Sequence, residues 1–98
     1  MAIELTLTTT KPAAATWWWN TNPDKMAAID TWVQSRPGFV SYSQSLTNKN
    51  VRVQKITFDT QENLINYIAT IYQCPEAVER KEYNDANTII TISETTIR

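Results

Sequence analysis

Two kinds of hydrophobic periodicity alternate along these 98 residues, and their order constrains the fold more than any other feature. Four segments alternate apolar and polar residues at every second position, which is typical of strands with one buried face. Two longer segments repeat apolar residues at helical spacing, which is typical of helices with one buried stripe. The order is strand, helix, strand, strand, helix, strand. The sequence therefore predicts an α+β domain in which helices cover a sheet.

Strands are predicted where the period of two is clearest. They run from residue 3 up to Lys11-Pro12, and then over residues 39–46, 51–58 and 88–95. Proline ends the first strand because it lacks the amide hydrogen that a ladder requires. The polar residues 47–50 have the composition of a hairpin connection between the second and third strands.

The pattern within the two central strands predicts which side chains share a face of the sheet. In the second strand, Val40, Tyr42 and Leu46 are expected on one face, and Phe39 on the other with the alternating serines. In the third strand the apolar residues change from odd-numbered to even-numbered positions after Val53. Such a change predicts a β-bulge in the third strand.

The first helix is predicted near residues 23–35. Asn22 is a good N-cap, Pro23 suits the first helical position, and Asp24 places an acid in the first turn. The helix is expected to end at Arg36, because the following proline disfavours helical backbone in the residue before it.

The second helix is predicted to begin after Asp59 or Thr60, either of which can act as its N-cap. Its apolar residues repeat at helical spacing as far as residue 72. Cys74-Pro75 ends it, and Pro75 is expected to begin a short helical piece that runs through about Lys81.

Two strand–helix–strand crossovers around a hairpin predict a ferredoxin-like βαββαβ arrangement, in which a four-stranded antiparallel sheet carries two helices on one face. Residues 1–98 are expected to form this one domain, because a chain of this length has room for a single core. The other face of the sheet must then be solvated or covered by something else. A domain this small has a thin stability margin, which favours a homodimer.

Charge and hydropathy exclude two classes of partner. The formal net charge is −1, from nine basic and ten acidic residues that form no run of one sign. Without a basic patch, nucleic acid is not an expected partner. No apolar run approaches the roughly 20 residues that span a bilayer, so no membrane partner is expected and the predicted location is cytoplasmic.

Residue usage also excludes several kinds of chemistry. The chain has no histidine, which removes histidine-based triads and ordinary zinc sites. Its single glycine, Gly38, excludes glycine-rich phosphate loops and dinucleotide fingerprints. Cys74 is the single cysteine, so no disulfide can form within the chain. No metal and no cofactor are predicted.

Two motifs carry a resemblance to a known family. Residues 36–41 read Arg-Pro-Gly-Phe-Val-Ser, a helix end that leads directly into the second strand, and residues 64–75 are followed by a short helix and Tyr83. In these motifs and in its order of elements, the chain resembles the dimeric α/β-barrel proteins of the antibiotic-biosynthesis-monooxygenase-like superfamily. The resemblance implies a homodimer whose two sheets face each other and close a barrel. It also implies a cavity between each sheet and its own helices.

The chemistry of that family transfers only in residue type. The resemblance associates cofactor-free oxidation of aromatic polyketides with tryptophan, asparagine, tyrosine and arginine near the pocket, whereas haem-degrading relatives use a histidine that this chain lacks. No residue aligns with a catalytic position, so the catalytic residues stay unknown. The candidate ligand-binding residues are Trp17, Trp18, Trp19, Trp32, Tyr42, Arg52 and Tyr72.

Each aromatic candidate also has a structural interpretation. The three consecutive tryptophans at 17–19 can stack on an aromatic ligand or a partner surface, or they can close the core or a dimer interface. Trp32 lies on the apolar stripe of the first helix, which places it in the core. The hydroxyls of Tyr42 and Tyr72 can reach a pocket or lie at the edge of the core.

Two functional hypotheses follow. The first is a non-enzymatic dimer that binds a small apolar or aromatic ligand, or that has a structural role. The alternative is a cofactor-independent monooxygenase or a related small-molecule enzyme, and it depends on the resemblance alone. A cavity lined by tryptophan, tyrosine and Arg52, in place of a filled core, is the observation expected to support ligand binding.

Overall fold

A computed structural model describes residues 2–13, 16–19 and 23–97 of the protein. The strands are β1 (Ile3–Thr10), β2 (Phe39–Asn48), β3 (Val51–Phe58) and β4 (Ile90–Ile97). The helices are α1 (Pro23–Gln34), α2 (Gln61–Thr70) and α3 (Pro75–Ala86), with a 3₁₀ turn (Ile71–Gln73) between the last two. Among these residues no helix is long and apolar enough to cross a bilayer.

The four strands form one antiparallel sheet in the order β2-β3-β1-β4. This topology confirms the ferredoxin-like prediction. The prediction was two helices and a short helical piece, whereas the structure has three helices. The third, α3, continues to Ala86 instead of ending near Lys81. Asn22, the predicted N-cap of α1, lies outside the described residues, whereas Thr60 caps α2 by accepting a 3.2 Å hydrogen bond from the Asn63 backbone N–H.

The last strand begins two residues later than predicted because α3 ends in a left-handed turn. Thr88 has a φ of 57°, and the Ile89 backbone N–H donates a 2.8 Å hydrogen bond to the Asn84 carbonyl. Helices commonly end in this way, with a residue of positive φ followed by a backbone N–H that donates to the carbonyl five residues earlier. Ile89 is buried there, and the strand pairing starts only at Ile90.

The predicted bulge in β3 is wrong. β3 pairs with β1 without interruption, and its buried side chains alternate strictly along the strand: Arg52, Gln54, Ile56 and Phe58. All four lie on the face that the helices cover. The apolar residues change from odd-numbered to even-numbered positions because the covered face of β3 is apolar at one end of the strand and polar at the other.

The irregularity lies in β2 instead. Phe39 pairs with Phe58 and Ser41 pairs with Thr57, so the register shifts between Phe39 and Ser41. As a result, Phe39 packs on the covered side, where its ring meets Phe58 edge-on at 6.2 Å, and Val40 is exposed. The predicted grouping of Val40 with Tyr42, and of Phe39 with the serines, is therefore wrong.

The core lies between the helices and the apolar half of the covered face. Phe58 is fully buried, and its ring stacks on Tyr67 of α2 with centroids 5.2 Å apart. Leu64 from α2, and Ile29 and Val33 from α1, complete the contact with the sheet. Each such side chain stabilises the fold by about 1.5–3 kcal/mol relative to exposure.

Gly38 is required where α1 turns into β2. Its φ is 81°, and a Cβ atom at this position would lie 2.8 Å from Asn63 Cβ and would also collide with the Asp59 carboxylate. The Gly38 carbonyl accepts a 2.9 Å hydrogen bond from the Asp59 backbone N–H, and the Asp59 carboxylate accepts a 2.8 Å bond from the Asn63 amide. This corner therefore joins the start of β2 to the start of α2.

We predict that Gly38→Ala destabilises the protein by about 2 kcal/mol or more, because the left-handed backbone costs an L-residue about 1–2 kcal/mol and the methyl group adds a collision. Urea denaturation measures the free energy of unfolding. Ser41→Ala, at an exposed position of the same strand, is the control and is expected to change it by about 0.5 kcal/mol or less. A loss of under about 0.5 kcal/mol in Gly38→Ala would contradict this account of the corner.

Candidate functional site

A cavity of about 540 Å³ lies between the covered face of the sheet and the side formed by α2, the 3₁₀ turn and α3. Ile68, Tyr72 and Ile90 line it and are also exposed, so the cavity reaches the surface. Its apolar lining comes mainly from Leu5, Leu7, Ile71, Ala77 and Ile89. Its polar lining includes Thr9, Arg52, Gln54, Tyr67, Arg80, Thr91 and Ser93.

Short side chains on the edge of the sheet leave this space open. On the covered face of β4, Thr91 and Ser93 stand opposite Thr9 and Leu7 of β1. The Thr9 and Thr91 hydroxyls are 3.1 Å apart and hydrogen-bonded to each other. Thr9, Thr91 and Ser93 have shorter side chains than Phe58 at the other end of the covered face, and α3 contributes the small Ala77 to the lining. The helices and the sheet therefore cannot close the gap.

A polar network extends from Gln54, which lines the cavity, to the edge strand β2. The Gln54 amide donates a 3.1 Å hydrogen bond to the Tyr42 hydroxyl, which donates a 2.8 Å bond to Gln44 Oε1. Tyr42 lines a smaller space of about 20 Å³ that shares Leu7, Gln54, Tyr67 and Arg80 with the main cavity. Burial raises the pKa of Tyr42, so its phenol stays protonated and available as a hydrogen-bond donor.

Arg52 is the most unusual residue of the site, because its side chain is charged and only 4% exposed. Its guanidinium carbon lies 4.7 Å from the centre of the Trp18 ring, and its Nε has no hydrogen-bond partner among the described residues. Burial lowers the pKa of Arg52, and the nearby positive charge of Arg80 lowers it further.

Arg80 brings a second cation to the cavity from α3, with Asp30 of α1 close to it. Burial raises the pKa of Asp30, and attraction to Arg80 partly opposes that rise. Lys81 and Asp85, also in the lining, form an ion pair with 2.6 Å between Nζ and Oδ2. Both lie on the exposed side of α3, where such a pair adds little stability.

Tyr67 joins the core to the cavity. Its ring stacks on Phe58 and lies near the Trp32 ring, and the residue lines both cavities. Burial raises the pKa of Tyr67 to about 12. Its hydroxyl therefore remains protonated at neutral pH.

The structure brings together some of the residues that the sequence suggested for a site. Arg52 and Tyr72 line the main cavity, and Tyr42 lines its small extension. Trp18 lies against the Arg52 guanidinium without lining the cavity itself.

The other tryptophans lie elsewhere. Trp17 is 78% exposed, and its carbonyl accepts a 2.6 Å hydrogen bond from the Tyr83 hydroxyl. Trp19 is buried in the core. Trp32 packs between Tyr67, with ring centroids 6.2 Å apart, and the Arg36 guanidinium, whose carbon lies 4.2 Å from the ring centre.

Tyr67 and Arg80 line the cavity but are not among the candidate ligand-binding residues that the sequence suggested. Arg80 belongs to the helical piece predicted after Pro75, and in α3 it lines the cavity together with Ala77 and Asn84. The spacing of three and four residues between these positions is the signal that a longer helix would have supplied. Among the described residues, no three histidine, cysteine, aspartate or glutamate side chains cluster as metal ligands would.

Comparison with known proteins identifies the fold. No protein-family model and no curated protein matches the sequence. The structure resembles SnoaB, a cofactor-independent oxygenase from Streptomyces nogalater, with a TM-score of 0.67 over 99% of this chain and 92% of that chain, at 13% identity. It also resembles a protein from Deinococcus radiodurans that is named as a candidate antibiotic biosynthesis monooxygenase, with a TM-score of 0.66 over 100% and 92% of the two chains, at 14% identity.

The fold is that of the antibiotic biosynthesis monooxygenase-like proteins. The antibiotic biosynthesis monooxygenase-like fold does not by itself specify an activity. The de novo designed protein Foldit4 shares it with a TM-score of 0.61 over 100% of this chain and 99% of that chain, at 13% identity. Function must therefore be argued from the cavity and its residues.

We predict that Tyr67 makes the protein lose stability between about pH 10 and pH 12. The unfolded tyrosine ionises near pH 10, whereas the folded one keeps its proton until a pKa of about 12. The unfolded chain then binds fewer protons than the folded one, so unfolding becomes easier as the pH rises through this window.

Urea denaturation of the wild type and of Tyr67→Phe at pH 9 and pH 12 measures this effect. The wild type is expected to lose about 2–3 kcal/mol more than the variant across the interval. Tyr72→Phe, which changes an exposed tyrosine, is the control and is expected to follow the wild type. Equal alkaline losses in the wild type and Tyr67→Phe would contradict the raised pKa of this tyrosine.

Proposed function

We propose that this protein binds a small, partly aromatic molecule in the cavity between its sheet and its helices. The observation that carries the proposal is the open space of about 540 Å³ where a chain of 98 residues would be expected to have a filled core. Volumes of about 300–1,000 Å³ are typical of small-molecule sites. Small domains have little stability to spare, so a gap of this size is costly without a function.

The two sides of the cavity support a ligand with an apolar body and a polar end. Leu5, Leu7 and Ile71 offer an apolar surface against which a flat ring system can pack. Arg52 on β3 offers hydrogen-bond donors to oxygen atoms of the ligand, and the side-chain carbonyl of Gln54 offers an acceptor. Sites of this kind derive affinity from apolar contact and orientation from a few polar groups.

Cofactor-independent oxygenation is a second candidate function. It is favoured by the fold shared with SnoaB, which is described as a cofactor-independent oxygenase. In such a reaction O₂ oxidises a CH₂ group of the substrate to a carbonyl, and the other oxygen atom leaves as water. Oxygen uptake in the presence of an aromatic substrate would distinguish this activity from binding alone.

We also propose that the protein is a cytoplasmic homodimer joined through the face of the sheet that its own helices leave uncovered. Ile92 on this face is 62% exposed, and Val51 and Val53 lie between polar neighbours on β3. A second copy would cover these side chains and enlarge the core that a small domain can bury. A monomeric mass in sedimentation equilibrium would contradict this assembly.

The cavity proposal predicts saturable binding of N-phenyl-1-naphthylamine, a neutral aromatic probe whose fluorescence rises in apolar surroundings. Ile68→Trp should weaken this binding at least about tenfold, because it places a large ring at the mouth of the cavity. Ile68 is half exposed, so the larger side chain can be accommodated without repacking the core.

Ile65→Trp is the matched control. Ile65 lies on the same helix with similar exposure but does not line the cavity. Its affinity for the probe is expected to stay within about twofold of the wild type. Absence of binding in the wild type, or equal weakening by both variants, would contradict the proposal.

A further inference from the structure

We infer that the cavity is a site for an organic anion. Arg52 binds the anionic group, which is a carboxylate, an ionised phenol or an enolate. This inference rests on the proposed function, and it names the chemical class of the ligand that the cavity selects. It follows from the charges around the cavity, from the unused donors of Arg52 and from the way in which Trp18 covers the guanidinium.

Among the described residues, Arg52 is a buried cation without a carboxylate partner. Its side chain is 4% exposed, and its Nε has no hydrogen-bond partner in the described part of the chain. The ion pairs found among those residues, Lys25 with Glu79 and Lys81 with Asp85, do not include it. Buried charges are normally paired, because an isolated one loses its hydration without compensation.

The other charged residues of the cavity lining do not cancel the charge of Arg52. Lys81 is paired with Asp85 at 2.6 Å, whereas Arg80 takes part in neither of the ion pairs found among the described residues. Asp30, which attracts Arg80, lines only the smaller space. Arg52 and Arg80 therefore give the lining of the main cavity a net positive charge. The site is therefore positive, although the chain as a whole has a net charge of −1.

The stacking of Arg52 on Trp18 leaves the useful edge of the guanidinium available. The guanidinium carbon lies over the face of the Trp18 ring, 4.7 Å from its centre, as in a cation–π contact. Its N–H donors lie in the plane of the group and point outward from its edge, where they can bind two oxygen atoms of a planar anion. Arg52 lines the cavity, so a ligand inside can reach it.

Lys11 helps to hold this arrangement. Its ammonium group lies 5.0 Å from the centre of the same Trp18 ring and donates a 2.8 Å hydrogen bond to the Thr16 carbonyl. The segment that carries Trp18 is thereby attached to the end of β1. Trp18 thus acts as a positioning residue for Arg52 and does not itself line the cavity.

A pair of isosteric probes tests the inference at pH 7. Isothermal titration calorimetry would compare 2-naphthoate, which is an anion, with 2-naphthamide, which is neutral and has the same shape. The wild type is expected to bind 2-naphthoate about ten- to one-hundred-fold more tightly than 2-naphthamide, because 2-naphthoate forms a charge-assisted hydrogen bond in a buried site. This comparison uses the wild type alone, so it does not depend on the folding of any variant.

Variants then locate the preference. Arg52→Gln is expected to abolish the difference between the two probes while leaving the affinity for 2-naphthamide within about threefold. Arg52→Lys keeps the charge without the planar fork and should retain part of the preference. Arg36→Gln is the matched control, because Arg36 also stacks on a tryptophan, at 4.2 Å from Trp32, but does not line the cavity.

The outcomes separate this inference from the proposed function. Equal affinities of the wild type for the two probes would overturn the anion site and leave ligand binding intact. A preference for 2-naphthoate that persists in Arg52→Gln would also overturn it, because the charge would then come from elsewhere. If the wild type binds neither probe, the proposed function fails, and the anion site fails with it.

Discussion

The covered face of β3 changes from apolar to polar halfway along the strand, and the rest of the structure depends on this division. Phe58 and Ile56 occupy one half and Gln54 and Arg52 the other, and all four are buried. A strand in the middle of a sheet cannot turn its polar residues toward solvent without reversing its apolar ones, because successive side chains alternate between faces. The fold must therefore bury both halves on the same side.

The two halves are buried in different ways. The apolar half packs on α2, where Phe58 stacks on Tyr67, and this contact fixes the helix on the sheet. The polar half cannot be packed against apolar helix residues without loss of hydration. It faces instead an open cavity, and Trp18 covers the one charged group. The core and the candidate site thus lie at opposite ends of the same face of β3.

Much of the fold could be predicted from the sequence because the elements differ in period. The strand and helix order, the Thr60 cap and the turn at Gly38 all depend on neighbouring residues, which a sequence displays directly. The bulge was misplaced for a physical reason. The rule that polar residues face solvent fails in β3, where Arg52 and Gln54 face a cavity.

The candidate site could be predicted less well, because it depends on contacts between distant segments. Arg52 and Tyr72 were singled out by residue type, but only the packed structure shows that α3 brings Arg80 to the same cavity. The tryptophans at 17–19 illustrate the same limit. One is exposed, one lies on Arg52 and one is in the core, and no local pattern distinguishes three identical neighbours.

The central claim is that the space between sheet and helices is a binding site, and isoleucine methyl NMR tests its location most directly. During titration with 2-naphthoate, the methyl signals of Ile71 and Ile89, which line the cavity, are expected to shift and to saturate together. The signals of Ile65 on the outer side of α2 and of Ile92 on the uncovered face should stay in place. Shifts confined to Ile65 or Ile92 would place the ligand on the outside of the protein and would contradict the account.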